Sequence, residues 1–396
     1  MRIGIYGGTF NPPHVGHVRG AEHALRALKL DRLLVIPSCI SPHKELPEGA
    51  ADPRQRLHMV RLAMEGIPGV EVSDMELRRG GTSYTYETLE ALKIQYPEEE
   101  LVLCMGTDMF LSFFQWREPD RILKNASLGV LYRGDREEKE QVARQKAFME
   151  QKGGKVYLVE NPVTEISSTD IRRLLVFGSD AFLPPAVAQY IRQEGLLGTG
   201  RDYKNLPEPE LEQVVVSLLK PNRVAHVLGC RQAAVELAKL WGANQQDAAR
   251  AALLHDITKA LDGPLQLTLC QSYGILLDAF SQENPKTLHA LTGSLVAKRI
   301  FGENDAVVAA IRSHTTACAD MAVLDEIIYV ADYMEPNRDF PGVEKLRRLA
   351  AEDLEEALWE GLQMTIAMLR QQGSHISPGS QSALDWLMTK KKLPKG

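Results

Sequence analysis

Along the first half of the chain, short runs rich in Val, Ile and Leu alternate with longer stretches in which apolar residues recur every three or four positions. The short runs predict six strands: Ile3–Tyr6, Leu33–Pro37, Val70–Ser73, Leu101–Met105, Leu128–Tyr132 and Val156–Val159. Between them, Val15–Leu28, Pro53–Glu65, Thr85–Gln95 and Glu137–Gln151 have the helical period. A helix between successive strands supplies the crossover that parallel pairing requires. The alternation therefore predicts an α/β domain, a parallel sheet with helices on both faces.

The pattern stops near Gly198-Thr199-Gly200, and the Pro- and Glu-rich residues that follow read as a linker. Beyond it there is almost no strand signal. Helical periods follow one another at Leu211–Leu218, Arg223–Leu240, Gln245–Leu254, Thr287–Phe301, Ala306–His314, Ile327–Asp332 and Glu352–Arg370. The reading is a first domain over residues 1–198, a linker over 199–207 and an all-α domain over 208–396. A length of 396 residues also favours two domains over one.

Composition narrows the function classes. The chain is 44% hydrophobic and 25% charged, with a net charge of −6, so no strongly basic face for a nucleic-acid partner is implied. Its five cysteines are scattered and never form CxxC, which disfavours a disulfide framework or a thiolate zinc site and favours a reducing compartment. No apolar run reaches the ~18 residues of a membrane span, and the sequence opens directly on a strand-like run. The expectation is a cytoplasmic protein with no membrane partner.

Two clusters carry candidate chemistry. After the first strand come Gly7, Gly8, Thr9 and Phe10, then His14-Val15-Gly16-His17. Adjacent glycines let backbone N–H groups turn toward a ligand, and the N-terminus of the next helix favours an anion. His14 and His17, three residues apart, share one face of its first turn, where two imidazoles can meet phosphate oxygens.

His14-Val15-Gly16-His17 resembles the HxGH motif of a nucleotidyltransferase superfamily, and Ile166-Ser167-Ser168-Thr169-Asp170-Ile171-Arg172 resembles its second motif. The serines and threonine also suit a helix N-cap. Over roughly residues 1–198 the chain resembles bacterial nicotinate-nucleotide adenylyltransferases, which implies a Rossmann-like fold. In that resemblance Gly7, Gly8, Thr9, Phe10, His14, His17, Ile166, Ser167, Ser168, Thr169 and Arg172 bind ATP, whose phosphates bring Mg²⁺. Lys44 in Pro42-His43-Lys44 contacts a substrate phosphate. Tyr84 and Thr85, then Gly106 and Asp108, then Trp116 and Arg117 receive nicotinate mononucleotide. The implied reaction is attack by the mononucleotide phosphate on the α-phosphorus of ATP, with His14, His17, Lys44 and Arg172 stabilising the charge.

The second cluster lies in the helical half. His255-Asp256 sits in an Ala- and Leu-rich run where a lone carboxylate would be costly to bury, and His226, His289, His314 and Asp332 lie on other predicted helices. Imidazoles and carboxylates without thiols suit Fe, Mn, Zn or Ni, and six ligands exceed one tetrahedral site, so a two-metal centre is expected. The spacing resembles the HD phosphohydrolase superfamily. Over about residues 208–385 it is similar to the bacterial HD family that splits diadenosine tetraphosphate into two ADP. That closer likeness rests on His255-Asp256-Ile257-Thr258-Lys259, His289, His314 and Ala331–Arg338. It implies two divalent ions, iron by family likeness, an active role for Asp256, and phosphate contacts from Lys259 and Arg338.

The expectation is thus a bifunctional enzyme acting on ATP, nicotinate mononucleotide and diadenosine tetraphosphate, with self-association left open. Alternatives are an HxGH transferase for nicotinamide mononucleotide or pantetheine phosphate, and a helical half that is another nucleotidase or a non-catalytic regulatory module.

Overall fold

The computed structural model describes residues 1–42, 45–132, 136–160 and 166–392. It comprises two compact units, Met1–Arg201 and Asp202–Gly396. The Lys44 site expected from sequence lies outside the described residues.

In the first unit six strands form one sheet: β1 (Arg2–Gly8), β2 (Arg32–Pro37), β3 (Val70–Val72), β4 (Glu100–Gly106), β5 (Ser127–Tyr132) and β6 (Val156–Glu160). Their order is β3-β2-β1-β4-β5-β6, and every pair is parallel. Alternate side chains enter two apolar layers, as strand geometry requires. Ile3, Ile5, Leu34, Ile36, Leu101 and Leu103 pack on one face with Leu89, Phe110 and Met149. Leu33, Val35, Val102 and Cys104 pack on the other with Ala21, Ala24 and Leu28. Both faces are covered, which is why β2 and β4 read as unbroken apolar runs. The sheet order reverses at β1, whose neighbours are β2 and β4. In open α/β sheets the crevice at the carboxyl ends of the strands on either side of such a reversal is where ligands bind. The loops after Gly8 and Gly106 leave from that edge.

Several short helices escape the periodicity, among them Met75–Arg79, Thr107–Leu111, Pro119–Asn125 and Pro185–Gln193. The last packs Val187 and Ile191 against Ile171 and Leu175 of the helix Ser168–Val176 and Met59 of the helix Pro53–Met64. The five-residue helices give too few turns for a clear apolar stripe, whereas in Pro185–Gln193 the buried Val187, Ala188 and Ile191 keep the helical spacing.

In the second unit no strand occurs among the described residues. The helices Pro221–Trp241, Gln245–Leu254, Asp305–Ser313 and Val323–Met334 pack on one another, with Leu288–Arg299 against Asp305–Ser313. Ala248, Ala249, Ala251 and Ala252 are all buried, so small side chains line one whole helix. Glu208 begins a helix with Pro209 and Glu210 in its first turn, a suitable N-terminus for proline and acidic residues. Leu206 is buried, and its carbonyl accepts from Arg250, itself clamped by Glu303 at 2.6 and 2.8 Å. The Ala-rich helix ends at Leu254, as its period predicts, and His255 and Asp256 occupy the tight turns beyond it. No helix of the described residues is long and apolar enough to cross a membrane.

Candidate functional sites

His14 is the N-cap of the helix Val15–Ala27, in extended conformation, and its N–H donates to His17 Nδ1 at 3.2 Å. The imidazoles lie close together, ring centroids 3.8 Å apart and planes tilted by 42°. Gly16 makes room for this arrangement, since a Cβ there would lie 3.0 Å from His14 Nδ1. Burial lowers the His14 pKa to about 4, so the ring is neutral at pH 7. Phe10, at φ 49°, sets its ring edge-on to that of His17, centroids 5.0 Å apart.

The two motifs separated by about 150 residues meet here. Arg172 Nη1 donates to the carbonyl of Asn11 at 2.8 Å and its Nη2 to Thr169 Oγ1 at 3.0 Å. Ser168 Oγ donates to the carbonyl of Pro12 at 3.0 Å. Ser167 caps the helix Ser168–Val176 by accepting from the N–H of Asp170. The helix N-terminus and its guanidinium are thereby fastened to the loop after β1. Among the described residues, Asn11 Nδ2, His14 Nδ1, Ser38 Oγ and Thr107 Oγ1 are buried without a hydrogen-bond partner. All four follow the carboxyl ends of β1, β2 or β4. Buried polar atoms are ordinarily paired, so this group marks an edge built to meet a polar ligand.

A cavity of about 380 Å³ adjoins Ser41, Pro42, Thr82, Tyr84, Thr85, Gln115, Trp116, Arg117 and Ile122. Four expected mononucleotide contacts, Tyr84, Thr85, Trp116 and Arg117, therefore converge. The Arg117 guanidinium lies 4.7 Å from the Tyr84 ring centroid, and Trp116 packs on Phe113 at 5.5 Å. Gly106 and exposed Asp108 stand at the end of β4 but do not line this cavity.

Sequence reasoning missed Arg56. It is fully buried, donating to the carbonyls of Thr9 at 2.7 Å and Cys39 at 2.8 Å. It ties the loop after β1 to the loop after β2. The signal was available: Arg56 falls in the apolar stripe of Val60, Ala63 and Met64, where a charge needs a partner.

In the second unit Asp256 is central and almost wholly buried. Its Oδ2 lies 3.8 Å from His226 Nε2 and 3.6 Å from His255 Nε2, its Oδ1 3.5 Å from His289 Nε2 and 3.7 Å from His314 Nε2. Asp332 Oδ1 is 3.1 Å from His226 Nε2 and 3.9 Å from His255 Nε2. All six expected metal ligands are thus brought together.

The other nitrogen of each ring is held from behind. His255 Nδ1 donates to Ala252 O at 2.6 Å, His289 Nδ1 to Lys286 O at 2.8 Å and His314 Nδ1 to Ile311 O at 2.6 Å. His226 Nδ1 faces Glu335 Oε1 at 3.2 Å. Such partners fix the tautomer that leaves Nε2 as an acceptor, the form that binds metal. Burial lowers the pKa of His255 to about 4 and that of His289 to about 3. Burial opposes charge on Asp256 and Asp332, yet the surrounding imidazoles and cations hold both carboxyls well below their usual range. Asp256 Oδ1 is buried with no hydrogen-bond partner. Neutral imidazoles, ionised carboxylates and an unpaired buried oxygen fit a site for divalent metal.

Three cations rim it. Arg223 pairs with Asp256, Arg338 Nη2 reaches Asp332 Oδ1 at 3.0 Å, and Lys259 Nζ lies 2.8 Å from His289 Nε2. Arg223 was not foreseen, and Glu335 was read only as part of the stretch Ala331–Arg338.

Comparison with known proteins divides the chain in the same way. Residues 5–174 match the family model described as cytidylyltransferase-like, and residues 223–337 match the HD domain. A probable nicotinate-nucleotide adenylyltransferase of Desulfatibacillum aliphaticivorans is 42% identical over 219 residues, covering 50% of this chain and 99% of that protein. A protein of the same name from Gemmatimonas aurantiaca is 38% identical over 199 residues, covering 50% and 92%. A crystal structure of a "predicted HD superfamily hydrolase involved in NAD metabolism" from Clostridium acetobutylicum is 33% identical, covering 47% of this chain and 98% of its own, with a TM-score of 0.46.

Proposed function

Because the N-terminal half of the chain belongs to the nicotinate-nucleotide adenylyltransferase family and the C-terminal half carries an HD domain, we propose a bifunctional enzyme. The first unit joins AMP from ATP to nicotinate mononucleotide, releasing pyrophosphate. The second hydrolyses diadenosine tetraphosphate to two ADP.

In the first unit both reactants carry their reacting groups, so the protein has to position two anions and stabilise charge. ATP, with its Mg²⁺, lies along Gly7, Gly8, Thr9 and Phe10, its departing pyrophosphate near His14, His17 and Arg172. The pyridine ring enters the cavity of Tyr84, Thr85, Trp116 and Arg117. The meeting of the two motifs through Arg172 and Asn11 at 2.8 Å is the observation that carries this reading.

In the second unit His226, His255, Asp256, Asp332, His289 and His314 would hold two divalent ions, iron by family likeness, and Asp256 offers one oxygen to each histidine pair. Bound there, the metals would supply an activated water and charge neutralisation at phosphorus. Arg223, Lys259 and Arg338 meet the phosphate chain from the rim. Adenylyl transfer to a second ATP in place of the mononucleotide would produce diadenosine tetraphosphate, which gives the pairing of the two activities a chemical rationale.

The full chain is to be assayed with ATP and nicotinate mononucleotide, nicotinamide mononucleotide or pantetheine phosphate, and separately with a dinucleoside polyphosphate series. Preference for nicotinate mononucleotide and ADP as sole product from the tetraphosphate are expected. A different preferred acceptor corrects the first activity. AMP with ATP as products, or no hydrolysis by the metal-loaded protein, refutes the second.

A further inference from the structure

The cavity of the first unit takes part of its lining from two stretches of chain. Ser41 and Pro42 come from the loop after β2, and Thr82, Tyr84 and Thr85 from the start of the helix Thr85–Gln95. The two stretches are joined side by side. Thr82 forms a β-bridge with Ile40, the Ser83 N–H donates to Ile40 O at 2.9 Å, and the Cys39 N–H donates to Ser83 Oγ at 2.9 Å.

A buried carboxyl holds this joint. Glu76, on the short helix Met75–Arg79, is 7% exposed and does not line the cavity. Its Oε1 accepts from Thr88 Oγ1 at 2.6 Å, and the Ser83 hydroxyl supports the same carboxylate. Thr88 Oγ1 in turn accepts from Arg79 Nη1 and Nη2, both at 3.2 Å. Burying a carboxylate is costly, and burial raises the Glu76 pKa while Thr88, Ser83 and Arg79 oppose that rise. This expensive group thus spends its bonds on the two residues, 83 and 88, that flank Tyr84 and Thr85.

Thr88 has a second acceptor within reach, the Tyr84 carbonyl at 3.5 Å. A threonine hydroxyl that bonds to the carbonyl four residues back bends its own helix. By taking the Thr88 hydrogen at 2.6 Å, Glu76 keeps it from the backbone of a residue that lines the cavity.

Resting on the nicotinate mononucleotide reading above, we infer that Glu76 is a positioning residue for the acceptor, holding Ser83 and Thr88 and through them the cavity wall of Thr82, Tyr84 and Thr85. The loop after β1 and the helix Ser168–Val176 are fastened separately, by Arg172 and Ser168. Loss of Glu76 therefore falls on the acceptor and spares ATP.

The test is initial-rate kinetics of the full chain with ATP and nicotinate mononucleotide each varied, on variants shown to be folded by circular dichroism. Glu76→Ala should raise KM for the mononucleotide about tenfold or more, the worth of one lost hydrogen bond to a charged group, with KM for ATP and kcat close to the parent. Glu76→Gln keeps an oxygen that can accept from Thr88, and should show a smaller rise. If Glu76→Ala does not fold, Ser83→Ala takes its place, and a rise confined to the mononucleotide is again expected. Equal rises in both KM values, a fall in kcat alone, or parent-like kinetics with only a lowered Tm would overturn the inference and leave Glu76 a folding residue. A parent chain that transfers no AMP to nicotinate mononucleotide would remove the reading on which the inference rests, and the inference with it.

Discussion

His17 interacts with His14 through both ring and backbone, so its removal reaches the proposed phosphate site twice over. His17→Ala should lower kcat for adenylyl transfer by ~10²-fold or more, since one oriented donor at a reacting centre is worth about 10²–10³. Hydrolysis by the HD unit should be untouched, and assays of both activities on one preparation check this. Trp116 poses a sharper question, because it both lines the cavity and packs on Phe113. If it stacks the pyridine ring, Trp116→Ala raises KM for the mononucleotide much more than KM for ATP, by about 5–150-fold at about 1–3 kcal/mol per stacked base. Equal losses for both substrates, with a lowered Tm, would make it a packing residue only.

At the scale of the element, the helix Val15–Ala27 starts where its N-terminus can meet an anion, and Gly16 is part of that design. Ala is the better helix former by about 1 kcal/mol, so Gly16→Ala should preserve or raise thermal stability. Its Cβ, 3.0 Å from His14 Nδ1, forces the imidazole aside. The expected result is kcat lowered by ~10-fold or more at unchanged or higher Tm, read from paired kinetics and calorimetry. Unchanged kcat would show that the His14 ring position is not critical. The buried helix Gln245–Leu254 follows another logic, its alanines letting neighbouring helices approach while the two chemistry-bearing residues wait in the turns past its end.

For the whole molecule, buried titratable groups make stability depend on pH. His255 and His289 have pKa values of about 4 and about 3 in the fold and about 6.5 unfolded. Between those values only the unfolded chain takes up the protons, so their stabilisation is full above pH 6.5 and is lost as pH falls toward 4. Glu326 acts in the opposite direction. Burial first, then neighbouring Glu355, raises its pKa to about 7, so its contribution is full below pH 4.5 and is lost as pH rises through 7. From pH 7 to pH 5 the two histidines cost about 4 kcal/mol and Glu326 returns about 2, taking about 1.4 kcal/mol per pKa unit. In chelator, Tm of the second unit should fall by several degrees over that range. In Glu326→Gln the fall should about double, while Tm at pH 8 should exceed that of the parent. A parallel shift of both curves would exclude Glu326 as the opposing group.

Much was already legible along the chain. Leu33–Pro37 and Leu101–Met105 stood out because strands buried on both faces must be continuously apolar, and His14, His17 and the six expected histidine and aspartate ligands because their residue types are costly without a purpose. Met75–Arg79 and Thr107–Leu111 were not legible, since five residues carry too little periodicity. Arg56 and Glu335 acquire their roles through partners far away in sequence: Thr9 and Cys39 for the first, His226 for the second. Local residue order determined which segments are strand or helix and which side chains are unusual, because propensity and burial period act within a few residues. Only the tertiary structure decided that Arg172 meets Asn11 and that the two oxygens of Asp256 face different histidine pairs. Those distances depend on how helices and strands pack, and no local pattern encodes them.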